Sequence, residues 1–231
     1  MSAPQKIALV TGAYKGIGLE IVRQLAARGV RVFLTARQRG AGEKAAASIK
    51  GDVHFLPLDV SNAESIESAA RAFSKQSDHL DILVNNAAIL LDDAGSVLEL
   101  EGDTVLDTFV TNTVGPMLVT QAFQPLLEQS KAPRVINMSS GAGQLADGLQ
   151  DWAPAYSMSK TALNSLTQHF AAALPRFAVN SVSPGWVRTD MGGDVAPLSV
   201  EQGADTLVWL ALDAPQNLTG KFLRERAEIA W

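Results

Sequence analysis

Apolar, β-branched runs alternate along the chain with stretches whose apolar residues recur every three to four positions. The runs are KIALVTG (6–12), VRVFLTA (30–36), VHFLPLD (53–59), DILVNNA (81–87), RVINMSS (134–140), FAVNSVSPG (177–185) and a short GKFL (220–223). Each is apolar at nearly every position, the pattern of strands buried on both faces of a parallel sheet. Between them the helical period predicts helices at 17–28, 41–49, 62–76, 103–129, 155–173 and 199–211. Ser61 with Glu64, and Ser199 with Gln202, have the spacing of a capping box at a helix start.

Strand alternating with helix predicts an α/β fold: a doubly wound, mostly parallel sheet of seven strands with helices on both faces. No linker, charge block, repeat or low-complexity stretch interrupts the pattern, so residues 1–231 read as one domain. The longest loop-like stretches, Gly141 to Pro154 and Arg188 to Pro197, follow the carboxyl ends of the fifth and sixth strands. Ligands of such sheets bind at that edge.

The first strand runs into the glycine turn TGAYKGIG, Thr11 to Gly18. Gly12, Gly16 and Gly18 permit a tight turn, close approach of backbone to a pyrophosphate, and close packing of helix on sheet. The helix start then offers unpaired N–H groups to an anion. The spacing is not GxGxxG, and a glycine-rich turn without a ligand is the alternative. The second strand ends Thr35-Ala36-Arg37, where an NAD site has an acidic residue for the ribose 2′-hydroxyl. Arg37, with Lys15 converging from the glycine turn and no carboxylate, suits the 2′-phosphate of NADP. One charge-assisted hydrogen bond of roughly 1.5–3 kcal/mol favours NADP over NAD by about ten- to a hundredfold. Two solvated surface cations are the alternative.

Composition narrows the field further. Apolar residues make up 47% of the 231, as in a globular protein. A net charge of −5 speaks against nucleic acid or anionic membrane as a partner. There is no cysteine, hence no disulfide, thiolate ligand or catalytic thiol. His54, His79 and His169 lie far apart without ligand spacing, so no metal site is expected. The amino-terminal MSAPQK lacks the apolar run of a signal peptide, and no stretch approaches the ~20 apolar residues of a membrane span. A cytoplasmic enzyme is the expectation.

Tyr156 and Lys160 lie four apart on one helical face. A free phenol, with pKa near 10, is a poor acid–base group at neutral pH. Lowering it by about three units takes roughly 4 kcal/mol, which one ammonium about 4 Å away supplies at an effective dielectric of ~20. The pair would then donate and accept a proton. Ser139-Ser140 ends the fifth strand, where a hydroxyl can position a substrate carbonyl. Ser140 lies in SSGAG and not in GxSxG, which speaks against a serine hydrolase.

Together these residues resemble the short-chain dehydrogenase/reductase family over nearly the whole chain. TGAYKGIG is similar to the family's TGxxxGxG, Asp59-Val60 to its adenine-side segment, Asn85-Asn86-Ala87 to its NNAG motif, and Ser183-Pro184-Gly185-Trp186-Val187-Arg188-Thr189 to its nicotinamide-side segment. The resemblance implies a Rossmann-type domain with a catalytic tetrad of Asn112, Ser140, Tyr156 and Lys160. It also implies an NADP(H) site at Gly12, Lys15, Gly16, Ile17, Gly18, Arg37, Asp59, Val60, Asn86, Tyr156, Lys160, Pro184, Gly185, Val187 and Thr189. The glycine-turn lysine and TAR residues are similar to those of carbonyl-reductase-like members, which use NADPH. Two departures stand out: Ala88 replaces the usual glycine of NNAG, and Ser140 to Tyr156 is 16 residues, which leaves Ser139 as a substitute.

By this resemblance the chain reduces an aldehyde or ketone with NADPH. Tyr156 is then the proton donor, Lys160 lowers its pKa, Ser140 holds the carbonyl, and Asn112 holds a water leading to Lys160. An NADP-dependent alcohol or hydroxysteroid dehydrogenase and a non-catalytic NADP sensor are the rival readings. Leu145, Trp152, Trp186 and Met191 are candidate apolar pocket walls, or loop residues packing on the protein itself. The segment NLTGKFLRERAEIAW would close a sheet edge or reach the pocket rim. Ala162, Ala171, Ala172 and Ala173 would either cover the sheet or pack between subunits of a homodimer or homotetramer.

Overall fold

A computed structural model describes residues 5–92, 95–146, 148–149 and 151–231. The amino-terminal residues 1–4, and positions 147 and 150 of the loop expected at 141–154, lie outside them. Eight strands form one sheet: β1 (Ile7–Val10), β2 (Arg31–Ala36), β3 (Val53–Pro57), β4 (Ile82–Asn85), β5 (Arg134–Met138), β6 (Ala178–Val182), β7 (Lys221–Arg224) and β8 (Ala227–Glu228). Their order is β3-β2-β1-β4-β5-β6-β7-β8. The first seven pair in parallel, and β8 pairs antiparallel with β7. The sheet therefore has one strand more than the seven expected. Two residues of β8 are too few for an apolar run to announce, and they pair because a tight turn folds the chain back.

The helices are α1 (Gly16–Ala27), α2 (Arg39–Ala47), α3 (Ala63–Ser74), α4 (Gly102–Phe109), α5 (Gly115–Leu127), α6 (Pro154–Ala173) and α7 (Val200–Leu212). Two apolar layers sandwich the sheet. On one face Ile21, Val22 and Leu25 of α1 and Leu207 and Leu210 of α7 pack on Val10, Leu34, Val84 and Ile136. On the other, Ile66 and Phe73 of α3 and Phe123 and Leu127 of α5 pack on Leu9, Phe33, Leu83 and Val135. Strands that face helices on both sides have no polar face to show, which is why their runs are apolar throughout.

Ser199 and Gln202 form the expected capping box of α7. Ser61 does not cap α3: Asn62 takes that place, its side chain accepting from Ser65 N at 2.9 Å. Ser61 instead donates both its N–H and hydroxyl to Asp59. The helix expected at 103–129 divides into α4 and α5, joined by a π-helical turn at Val110–Val114. Such turns concentrate at functional sites, and this one carries Asn112.

A buried polar ladder crosses the sheet just inside its carboxyl edge. Asn85 Nδ2 donates to Thr120 Oγ1 and to Asn137 Oδ1 at 2.8 Å, and Asn137 Nδ2 donates to Thr167 Oγ1 at 2.9 Å. The Thr167 and Ser181 hydroxyls lie 2.7 Å apart. These groups tie β4, β5 and β6 to α5 and α6 at one level. Asn137→Ala orphans partners on both sides, and each buried orphan costs about 1–3 kcal/mol. A stability loss of roughly 2–4 kcal/mol in urea denaturation is the expected outcome.

Candidate functional site

β1 and β4 end side by side, and their ends are clamped. Thr11 Oγ1 accepts from the N–H groups of Asn86 and Ala87 at 2.9 and 3.0 Å. Asn86 Nδ2 returns donors to the carbonyls of Thr11 and Gly12. β2 joins through Ala13 N, which donates to Thr35 O at 2.9 Å. These bonds leave no room for side chains at Gly12 and Gly18. A Cβ at Gly18 would lie 2.5 Å from Asn86 Nδ2, one at Gly12 2.9 Å from Ala87, and Gly12 has φ +60°. Lys15 stands at the N-cap of α1 with no side-chain cap bond, so the helix's first N–H groups are left for a ligand.

From here a groove of about 1280 Å³ runs along the carboxyl edge of the sheet. Single small ligands occupy roughly 300–1,000 Å³, so this space suits a dinucleotide together with a small substrate. Its walls include Gly12, Lys15, Gly16, Ile17, Gly18, Arg37, Asp59, Val60, Asn86, Pro184, Gly185, Val187 and Thr189, with Ser140, Tyr156 and Lys160. Every residue expected to hold the cofactor thus meets in one space. Lys15 differs from expectation in its surroundings: its Nζ lies 2.6 Å from Asp190, so a carboxylate does stand beside it. The loop after β6 folds over the glycine turn and brings that acid in. Asp190 also holds the Lys15 pKa above its usual value. Arg37 is exposed at the end of β2 and makes no ion pair among the described residues.

Tyr156 enters the groove from the first turn of α6. Ala153, the N-cap, is left-handed (φ +46°) and has no capping side chain. Asp92 Oδ2 caps the helix instead, accepting from Ala155 N at 2.6 Å. Ser140 caps a 3-10 turn, Gly141–Gly143, its Oγ accepting from Ala142 N at 3.1 Å. That turn docks on α6, where Thr161 and Asn164 donate to Gly143 O. A Cβ at Gly143 would lie 2.6 Å from the Lys160 backbone. Docking brings Ser140 to Tyr156, 16 positions on, the loop absorbing the extra length. Ser139 is buried beneath, its Oγ 3.5 Å from Lys160 O.

Lys160 is 1% exposed, and its Nζ donates to Met138 O at 2.8 Å. It sits over the Tyr156 ring, 5.5 Å from the centroid. Burial lowers the Lys160 pKa to about 7 and raises that of Tyr156 to about 12, the Ser140 hydroxyl acting in the opposite direction on the tyrosine. This differs from the expected depressed phenol, because burial of the hydroxyl outweighs the groups beside it. Tyr156 is held as the protonated acid.

Asn112 is fully buried and does not line the groove. Both its amide hydrogens are committed, to Ile89 O and Ser159 Oγ, and its Oδ1 accepts from Ile89 N. Its side chain therefore ties the segment after β4 to α6. Of the candidate apolar walls, Trp152, Trp186 and Met191 line the groove, and the Trp152 ring meets Tyr156 edge-on at 6.4 Å. Leu145 does not line it; its N–H donates to the carbonyl of Trp231. Arg224 also lines the groove, so the segment NLTGKFLRERAEIAW both closes the sheet edge and reaches the pocket rim, though no motif singled out this residue. No cluster of potential metal ligands occurs among the described residues, and no helix there is long and apolar enough to cross a membrane.

The two opposed shifts fix how stability depends on pH. Between pH 7 and 10.5 the unfolded chain holds a proton on Lys160 that the folded protein lacks, so stability rises with pH. Above pH 10 the folded protein keeps the Tyr156 proton that the unfolded chain loses, and stability falls. Thermal melts of the cofactor-free protein should therefore rise from pH 7 to 9, and Lys160→Met should flatten that rise.

Comparison with known proteins agrees with this geometry. The sequence profile of the family described as short chain dehydrogenase matches residues 6–198. A (+)-neomenthol dehydrogenase of Arabidopsis thaliana is 35% identical over 97% of this chain and 97% of that protein. Carbonyl reductase (NADPH) 1 of Sus scrofa is 31% identical over 100% and 96%. Among solved structures, NADPH-bound carbonyl reductase from chicken fatty liver superposes with a TM-score of 0.89 at 30% identity, covering 99% of this chain and 100% of that one. The carbonyl reductase Sniffer of D. melanogaster gives 0.88 at 29%, with the same coverage. With a family profile over most of its length and a relative at 35% identity across nearly the whole of both proteins, the chain belongs to the short-chain dehydrogenase family of oxidoreductases.

Proposed function

We propose that the protein reduces an aldehyde or ketone to an alcohol with NADPH. The observation that carries this reading is a buried Tyr156 beside Ser140 and Lys160, in a groove whose far end holds Arg37, without an ion pair among the described residues. NADPH fits the clamped glycine turn, the uncapped start of α1 and the arginine at the end of β2. Relatives that use NADPH by name support the same cofactor.

When bound, the reduced nicotinamide supplies hydride to the carbonyl carbon. Tyr156 gives its hydroxyl proton to the carbonyl oxygen, completing the alcohol. Ser140 donates a hydrogen bond to that oxygen and orients the carbonyl for attack. Lys160, its Nζ over the Tyr156 ring, compensates the phenolate in its ammonium form, and the proton that restores Tyr156 comes from bulk water. Asn112 acts at one remove, by holding α6 against the segment after β4. Trp152, Trp186 and Met191 offer apolar surface to the remainder of the substrate.

A second reading, net oxidation of an alcohol, has support in the relative named as a neomenthol dehydrogenase. The same residues serve both directions. Self-association has support in Leu106 of α4, Val110 of the π-helical turn and Met158 of α6, all exposed and apolar. Ala171 packs on the core while Ala172 and Ala173 stay exposed.

Tyr156→Phe should abolish turnover in an NADPH-oxidation assay with a reducible ketone, while NADPH affinity by fluorescence titration stays within about twofold. Unchanged kcat would remove Tyr156 as the acid. Arg37→Asp should lower the NADPH-to-NADH ratio of kcat/KM by about ten- to a hundredfold, the value of one charge-assisted hydrogen bond.

A further inference from the structure

The cations around the groove are nearly all spoken for. Lys15 meets Asp190, Arg188 Nη1 donates to the carbonyls of Ala196 and Pro197, and Lys160 Nζ donates to Met138 O. None of the three guanidinium groups on its walls makes an ion pair among the described residues; with Arg188 bonded to two backbone carbonyls, two are left without such partners. One is Arg37, at the end the 2′-phosphate would occupy. The other is Arg224, whose guanidinium has one hydrogen-bond partner among the described residues, the Ser183 hydroxyl, at 3.3 and 3.2 Å.

Arg224 is set in place by a hairpin. β7 ends on it, Glu225 and Arg226 turn with φ of +51° and +61°, and β8 returns. Positive φ at both central residues is type I′ geometry, the tight turn that matches strand twist. The neighbouring cations of this hairpin are compensated: Lys221 pairs with Glu228 at 2.9 Å and Arg226 with Asp205. Arg224 alone of the three faces the groove. Its Nη2 lies where a Cβ of Gly141 would come within 2.5 Å, so it abuts the residue that follows Ser140. The chain end completes this wall. Trp231 stacks on Phe222 with centroids 5.6 Å apart, and its carbonyl accepts from Leu145 N and Ala146 N. The loop after Ser140 and the hairpin are thereby held together.

A half-buried guanidinium with a single neutral partner keeps most of its five donors free, in a fork that matches a carboxylate. We propose that Arg224 is a substrate-binding residue that selects carbonyl compounds bearing a carboxylate beside the reacting carbonyl, that is, α-keto acids with an apolar remainder. The carboxylate lies on Arg224, the carbonyl oxygen between Ser140 and Tyr156, and the remainder against Trp152, Trp186 and Met191. The two unpaired guanidiniums then divide the work: Arg37 binds the anion that identifies the cofactor, and Arg224 the anion that identifies the substrate. This assignment rests on the reductase reading above.

The test compares benzoylformate with 1-phenyl-1,2-propanedione, in which a neutral acetyl group replaces the carboxylate. Wild type, Arg224→Gln and Arg224→Lys are assayed with saturating NADPH. Arg224→Gln should lower kcat/KM for benzoylformate at least tenfold, mainly through KM, and leave the dione within about twofold; Arg224→Lys should recover part of the loss. An equal fall for both substrates, a fall in NADPH affinity instead, or wild-type turnover of the dione but not of benzoylformate overturns the proposal. Calorimetric titration of benzoylformate into the NADP⁺-bound protein reads the subsite without turnover. If wild type reduces neither compound yet binds benzoylformate, and Arg224→Gln abolishes that binding, the subsite stands and the reductase reading falls. If wild type does not bind it, the proposal falls.

Discussion

A lysine withdrawn from water and held by one carbonyl is the constraint around which the site is arranged. Lys160 Nζ finds Met138 O at 2.8 Å and no carboxylate. An ammonium so placed bears a large desolvation cost, which shows as a pKa lowered to about 7. The fold sustains this cost because the rest of α6 is fixed independently. Asp92 caps its start, Asn112 holds Ser159 from the π-helical turn, and the 3-10 turn after β5 packs against the Lys160 backbone. Relaxing Lys160 toward solvent would require undoing several of these contacts together. Strain at a reactive centre, supported by well-satisfied surroundings, is the ordinary economy of an enzyme site.

The same arrangement gives Tyr156 its acid form. The phenol stays protonated far above neutrality, and burial is the dominant cause. A proton donor must hold its proton until a carbonyl oxygen begins to accumulate negative charge. The polar ladder of Asn85, Asn137, Thr167 and Ser181 lies one layer beneath and keeps β4, β5, β6 and α6 at a common height. Ser140 and Lys160 arrive at the groove from β5 and α6, so their separation depends on that layer.

Most of the architecture was legible because it rests on local pattern. Buried parallel strands are apolar throughout, so seven runs locate seven strands, and the positions of five predicted helices agree to within about two residues. The glycine turn could be read because a backbone that approaches Ala87 and Asn86 this closely excludes side chains at Gly12 and Gly18. Three readings failed for one shared reason. Ser61 as a cap, Leu145 as a pocket wall and Lys15 without an acid each depended on which neighbour a side chain would find in space. Asn62, Trp231 and Asp190 supplied the answers, and Trp231 and Asp190 come from distant parts of the chain.

By itself, then, the amino-acid order determined the alternation of strand and helix, the site's edge of the sheet, and the residue types that meet there, since periodicity and glycine placement are local properties. Tertiary structure decided the electrostatics. Whether Lys160 is charged, whether Tyr156 is acid or base, and which of Lys15, Arg37 and Arg224 remains unpaired all turn on burial and on partners brought from elsewhere in the chain. Charge in a protein is set by what surrounds it, and surroundings exist only once the chain has folded.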